Sequence, residues 1–116
     1  MQRKTYKNHP PVPQALQEAL KDYPGLIAEL QEALRSTGLT LFMSKSQRTD
    51  QFELALGLLE DGLGDLMGRA AKEVKAAEAT GDAALIAKAK EKKMLMNNCR
   101  MQKLGNGVSE LKAFFD

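Results

Sequence analysis

The sequence predicts an all-α fold, and its composition supplies the reasons. The 116 residues include 17 Leu, 15 Ala and six Met but only three Val and two Ile, so helix formers abound and the β-branched residues favoured in strands are scarce. All four prolines lie within the first 24 residues, so nothing after Pro24 carries the strongest helix breaker. A chain of this length fits a single domain.

Residues 1–12 are predicted to form a flexible basic arm. They contain Arg3, Lys4, Lys7 and His9 and no acidic residue, and the arm ends in a proline-rich segment. The all-α domain is therefore expected to cover residues 13–116.

Two short amphipathic helices should open this domain. The first is predicted over residues 13–22, because Pro13 suits the first position of a helix. Pro24 then disfavours the α conformation of the residue before it, so a second helix is predicted over 24–37, with Gly38 as its stop.

A long antiparallel helical hairpin is predicted next, over residues 49–80 and 82–104. Thr49 or Asp50 can cap its first arm, and Gly81 followed by Asp82 offers a helix stop and a new N-cap. Residues 105–107, Gly-Asn-Gly, are expected to end the second arm, and a short C-terminal helix should cover 109–115, capped by Ser109. The predicted architecture is thus two short N-terminal helices packed on a helical hairpin.

Charge supports the pairing of the two arms. The formal net charge is only +2, but residues 49–81 hold seven acids and three bases while residues 82–108 hold two acids and six bases. This pattern places Glu60, Asp61 and Asp65 near the level of Lys93, Arg100 and Lys103.

The hairpin should also carry the interaction surface. Arms of about 48 and 34 Å would outgrow a compact domain of this size, so we expect a second subunit to cover their apolar faces in a homodimer. The residues predicted to form this dimer or partner face are Phe52, Leu56, Leu59, Leu63, Leu66, Met94, Met96 and Met101. The leading functional hypothesis is a small protein-interaction module, such as an adaptor, inhibitor or regulatory subunit, with no cofactor and no enzymatic activity.

Four glycines fall inside the first arm of the hairpin, at positions 57, 62, 64 and 68. A phosphate-binding loop is disfavoured because no strand precedes them. The favoured interpretation is a close helix crossing at Gly57, Gly64 and Gly68, which share a face; a helix break near Gly62 is the alternative.

Two other functions stay open. Arg3, Lys4, Lys7 and Arg48 could contact the phosphates of a nucleic acid. Glu29-x-x-Glu32 resembles half of the metal-binding motif of all-α nucleotide pyrophosphatases of the MazG type, which implies magnesium chemistry, although the second half of that motif is missing.

His9 and Cys99 are the only residues of their kinds, so neither a catalytic triad nor a zinc site can be assembled from them.

The setting is predicted to be the cytoplasm. The sequence has no apolar run that could span a membrane, and a single cysteine cannot form an internal disulfide. The stretch from Val12 to Pro24, continuing through residues 30–34, resembles segments of small uncharacterised proteins of bacterial prophages and mobile elements. That resemblance implies a bacterial cytoplasm and no particular function.

Overall fold

The computed structural model describes residues 9–116, and these residues are 81% helical with no strand. The all-α prediction is confirmed. The helices are α1 (Gln14–Ala19), α2 (Pro24–Ala33), α3 (Lys45–Thr80), α4 (Ala83–Asn98) and α5 (Leu104–Phe115). A 3₁₀ turn, Leu34–Ser36, extends α2, and a π-helical turn, Cys99–Lys103, joins α4 to α5.

The first arm starts earlier than the sequence predicted. Ser44, rather than Thr49 or Asp50, is the N-cap of α3: its hydroxyl accepts from the backbone N–H of Gln47, and the Gln47 side chain accepts from the backbone N–H of Ser44. This reciprocal pair satisfies two backbone donors at the helix start. The cap was missed because residues 39–48 show no helical periodicity.

Helix α3 runs without a break through its four internal glycines, so the alternative of a break near Gly62 is wrong. The close crossing expected at Gly57, Gly64 and Gly68 is not formed within the chain, because a Cβ at any of them would meet nothing within 4 Å. Gly62 is the closely packed one. A Cβ there would lie 2.9 Å from Cδ2 of Leu30, which α2 presses against α3.

The sequence predicts that residues 105–107 end the second arm, but the helix continues through them. Residues 105–107 lie inside α5, and Ser109 caps no helix. Gly107 fits because a Cβ at this position would lie 2.5 Å from Cβ of Pro13, so the contact with the N-terminal segment requires a glycine. Cys99 and Leu104 are both buried although they lie five residues apart. The π turn brings both residues to the core side, whereas a regular α-helix at this spacing would turn α5 away from the core.

The two arms contact each other in opposite chain directions. Near the Gly81 turn, Lys92 Nζ lies 3.0 Å from Glu73 Oε1, and at the other end the Phe52 and Phe115 rings meet edge to face with centroids 6.5 Å apart. Helix α1 contacts α5 and the π turn, whereas α2 contacts α3. The Cα radius of gyration is 16.6 Å, against about 13 Å for a compact domain of this length.

The expected boundary of the basic arm at residue 12 lies too late in the chain. The Gln31 side chain clamps the proline-rich segment, donating to the carbonyl of Pro10 (2.9 Å) and accepting from the N–H of Val12 (3.0 Å). Pro10 and Val12 are buried. His9 Nδ1 lies 3.0 Å from the Thr37 carbonyl. Residues 9–12 are thus part of the packed domain.

Candidate interaction surface

The predicted interaction residues divide into two groups. Leu59, Leu63 and Leu66 are buried in the core of the chain together with Met96, and Phe52 and Leu56 are half-buried against that core. In this fold the chain itself therefore covers most of the predicted face. Met94 and Met101 are the exposed members, with 73% and 77% of their surface accessible.

The most exposed large apolar side chain, Phe42, lies in the loop between Gly38 and the start of α3. Leu41 is 65% exposed and Phe42 is 99% exposed, and Phe42 has a positive φ of 64°. A bulky residue rarely adopts this left-handed conformation, and strained residues of this kind cluster at functional sites. The sequence signal was present as Leu-Phe-Met between polar residues, but exposure could not be read from it.

This loop is fixed at both of its ends. On one side the N–H of Gly38 donates to Gln51 Oε1 at 3.0 Å, and on the other side Ser44 caps α3. Met43 lies between these two points, and its carbonyl accepts a hydrogen bond from Arg48 Nε at 3.5 Å. These hydrogen bonds fix the backbone on both sides of Phe42, and its side chain protrudes from the surface.

A cleft of about 770 Å³ lies beside the loop, between the start of α3 and the end of α5. Arg48 connects the two features, because its guanidinium also donates to the carbonyl of Asp116 at 3.2 Å. The cleft is lined by Lys45, Arg48, Thr49, Phe52, Glu53, Lys112, Phe115 and Asp116. Three cations and two acids thus surround two aromatic rings.

A second, smaller groove of about 410 Å³ lies near the Gly81 turn. Its residues are Tyr23, Glu73, Ala76, Ala77, Thr80, Leu85, Lys88, Ala89 and Lys92. Lys92 lies 5.1 Å from the centre of the Tyr23 ring and pairs with Glu73, so its charge is already engaged. Leu85 is the exposed apolar residue here, at 49%.

The sequence predicts that four basic residues could contact the phosphates of a nucleic acid, and one of them lies in the part of the chain that the structure describes. Arg3, Lys4 and Lys7 lie outside the described residues, and Arg48 lies in the cleft.

The predicted pairing of charges between the two arms is not formed. The ion pairs of residues 9–116 do not join Glu60, Asp61 or Asp65 to the second arm. Asp65 instead pairs with Arg69 on the same helix, at 3.2 Å.

The two carboxylates of the pyrophosphatase resemblance are both engaged by arginines. Glu29 lies 2.7 Å from Arg69, and this hydrogen bond is the main cause of the raised pKa of Arg69. Glu32 lies 3.1 Å from Arg35. Within residues 9–116, no three His, Cys, Asp or Glu side chains come together in a way that could hold a metal ion.

Cys99 lies in the core at the start of the π turn. Burial raises the pKa of its thiol, and the nearby charge of Lys103 lowers it by less. A raised pKa keeps the thiol protonated and unreactive at neutral pH. Cys99 therefore serves here as a small apolar core residue.

Comparisons with protein-family models, with curated proteins and with solved structures find no match to this chain. Among the helices that the structure describes, none is long and apolar enough to cross a membrane.

Proposed function

We propose that this protein is a small protein-interaction module that acts as a homodimer, and that its contact surface is the end of the hairpin that carries Phe42. In this proposal the two N-terminal helices cover one side of the hairpin, and the Phe42 loop and the neighbouring cleft receive the partner. The observation that carries it is the 99% exposure of Phe42 in a left-handed conformation.

The physical argument starts from what the fold gains from this side chain. An exposed phenylalanine buries no surface within the chain, and its backbone conformation is unfavourable by about 1–2 kcal/mol. Leu41 beside it is also mostly exposed. Aromatic residues that protrude from a surface are typical energetic centres of protein interfaces, because they remove a large apolar area from water when they enter a pocket.

Light scattering over a wide concentration range tests this proposal. The chain has a mass of 12.8 kDa. We expect the measured mass to rise to twice this value with concentration, and Phe42→Asn to shift that rise to higher concentration. Leu85→Gln is the matched control, because it removes an exposed apolar side chain at the opposite end of the hairpin. A monomer at all concentrations, or a larger effect of Leu85→Gln, would contradict the proposal.

Nucleic-acid binding is the second candidate, and one observation favours it. Arg48 shares its cleft with Lys45 and Lys112, and residues 1–8 add three further basic residues. Glu53 and Asp116 in the same cleft oppose it, because they repel phosphates. The test is a mobility-shift assay at low and high salt: a salt-sensitive shift that Arg48→Glu weakens would favour this candidate, and no shift at low salt would exclude it.

A further inference from the structure

We infer that the loop that carries Phe42 binds the surface of an anionic lipid membrane. In this arrangement Phe42 and Leu41 enter the lipid, and the basic residues around the loop contact the acidic headgroups. The inference goes beyond the proposed homodimer, because a second copy and a membrane would use the same loop in turn.

The first observation is the apolar tip of the loop. Phe42 is 99% exposed, and Leu41 beside it is 65% exposed. Hydrogen bonds fix the loop backbone near both of its ends, so these side chains protrude from a held segment. Phenylalanine and leucine are typical of the apolar faces that enter the boundary between headgroups and acyl chains. A fluid lipid surface accepts such a tip without needing a matching pocket.

The second observation is that the formal charge of the chain is concentrated in two segments. Residues 1–9 hold three bases and no acid, and residues 33–49 also hold three bases and no acid. These two segments together carry +6, and because the whole chain carries +2, the rest of it carries −4. Arg35 is compensated by its ion pair with Glu32, but the excess remains large. An anionic membrane surface attracts such basic segments.

The third observation is that the fold brings the two basic segments together at the Phe42 end. His9 Nδ1 lies 3.0 Å from the carbonyl of Thr37, so residues 1–8 join the described fold next to the loop. Lys45 follows the loop directly and is exposed, and it takes part in none of the ion pairs that residues 9–116 form. Basic residues thus accompany the apolar tip, which matches the two signals that hold a protein on an acidic lipid surface.

A nucleic acid fits this end of the molecule less well than a lipid surface does. Its phosphates would also be attracted, and the Phe42 ring could stack on a base. Leu41 has no ring to stack, however, and Glu53 and Asp116 in the neighbouring cleft repel a phosphate backbone that enters it. A membrane would contact the protruding loop and would not have to enter the cleft.

Cosedimentation with vesicles tests the inference, at a protein concentration where light scattering shows the monomer. The vesicles consist of phosphatidylcholine with about one third phosphatidylserine, and pure phosphatidylcholine vesicles are the comparison. We expect binding to the acidic vesicles at low salt and at least about tenfold weaker binding to the neutral ones.

Two substitutions with matched controls separate the apolar and the basic contribution. Phe42→Asn should weaken binding about tenfold or more, because it removes the side chain that enters the lipid. Lys45→Gln should weaken binding about fivefold. Leu85→Gln and Lys75→Gln remove an exposed leucine and an exposed lysine near the Gly81 turn, so both should bind like the wild type.

Fluorescence gives an independent readout of insertion. The chain has no tryptophan, so the Phe42→Trp variant has a single emitter at the loop tip. Acidic vesicles should shift its emission to shorter wavelength, and lipids brominated in their acyl chains should quench it. Unchanged emission together with unchanged quenching would overturn the inference.

The outcomes distinguish this inference from the proposed homodimer. No binding to acidic vesicles at low salt, or binding that Phe42→Asn leaves unchanged, would overturn the membrane contact whether or not the chain dimerises. A mobility shift of a nucleic acid without any vesicle binding would overturn it as well. Vesicle binding by a chain that stays monomeric at all concentrations would support the membrane contact and contradict the homodimer alone.

Discussion

Replacing Phe42 by asparagine should make the folded chain more stable and the association weaker. Asparagine tolerates positive φ far better than a bulky aromatic residue, so the substitution relieves strain at φ 64°. Phe42 is 99% exposed, so almost no packing within the chain is lost. We therefore expect the free energy of unfolding of the monomer to rise by about 1 kcal/mol, or about 4 °C in melting temperature.

The two effects need separate measurements, because dimer formation itself stabilises the folded state. Thermal unfolding followed by circular dichroism at low micromolar concentration reports the monomer, and light scattering at several hundred micromolar reports association. The matched variant is Phe42→Ala, which removes the ring but keeps most of the strain. It should weaken association equally without the gain in stability.

One result would refute the reasoning directly. If Phe42→Asn lowered the melting temperature of the dilute protein, Phe42 would be stabilising its own fold, and its exposure would no longer indicate an interaction surface. Equal association of wild type and variant would leave the strain argument intact but remove Phe42 from the interface.

Four further substitutions and one reactivity measurement test the fold and its buried thiol. Gly107→Ala should lower the free energy of unfolding in urea by about 1–3 kcal/mol, because a Cβ would lie 2.5 Å from Cβ of Pro13. At Gly105 a Cβ would meet nothing within 4 Å, so Gly105→Ala should raise the free energy of unfolding by about 0.5–1 kcal/mol. Equal effects of the two glycine substitutions would contradict the close contact between Gly107 and Pro13. Ser44→Ala should cost about 1 kcal/mol in the same assay, and no change would mean that the capping box is not what holds the start of α3. The Cys99 thiol has a raised pKa, so it should react with thiol reagents far more slowly in the folded chain than in urea. Because the folded state holds this proton more tightly than the unfolded state, stability relative to Cys99→Ala should fall as pH rises above about 8.5; a rise would contradict the raised pKa.

Local patterns in the sequence predicted the existence of most helices. Helix α3 contains the whole predicted first arm, residues 49–80, and Gly81 is its C-cap, as the sequence predicted. The start of α3 was placed too late because a local capping box, Ser44 with Gln47, lies outside the periodic pattern. The predicted stop at residues 105–107 is wrong because a tertiary contact overrides local preference there. Gly107 reads as a helix stop in isolation and becomes a helix-interior residue because Pro13 packs against it.

The candidate surface was harder to predict than the fold. Periodicity identifies apolar residues but does not tell which of them the chain will cover with its own segments. Leu59 and Met94 belong to equally apolar patterns, yet one is buried and the other is 73% exposed, because the other helices cover only one side of each arm. Phe42 lies in a segment without periodicity, so no pattern marked it.

By itself, the sequence determined that the chain is helical and where its main turn lies, because helix propensity, proline placement and capping act over a few neighbouring residues. Only the tertiary structure decided that Gln31 holds Pro10 and Val12 against the core and that a π turn lets α4 and α5 form one arm. It also decided that the Phe42 side chain is left exposed to solvent. Those outcomes depend on contacts between residues far apart in the chain, whose distances become short only after folding.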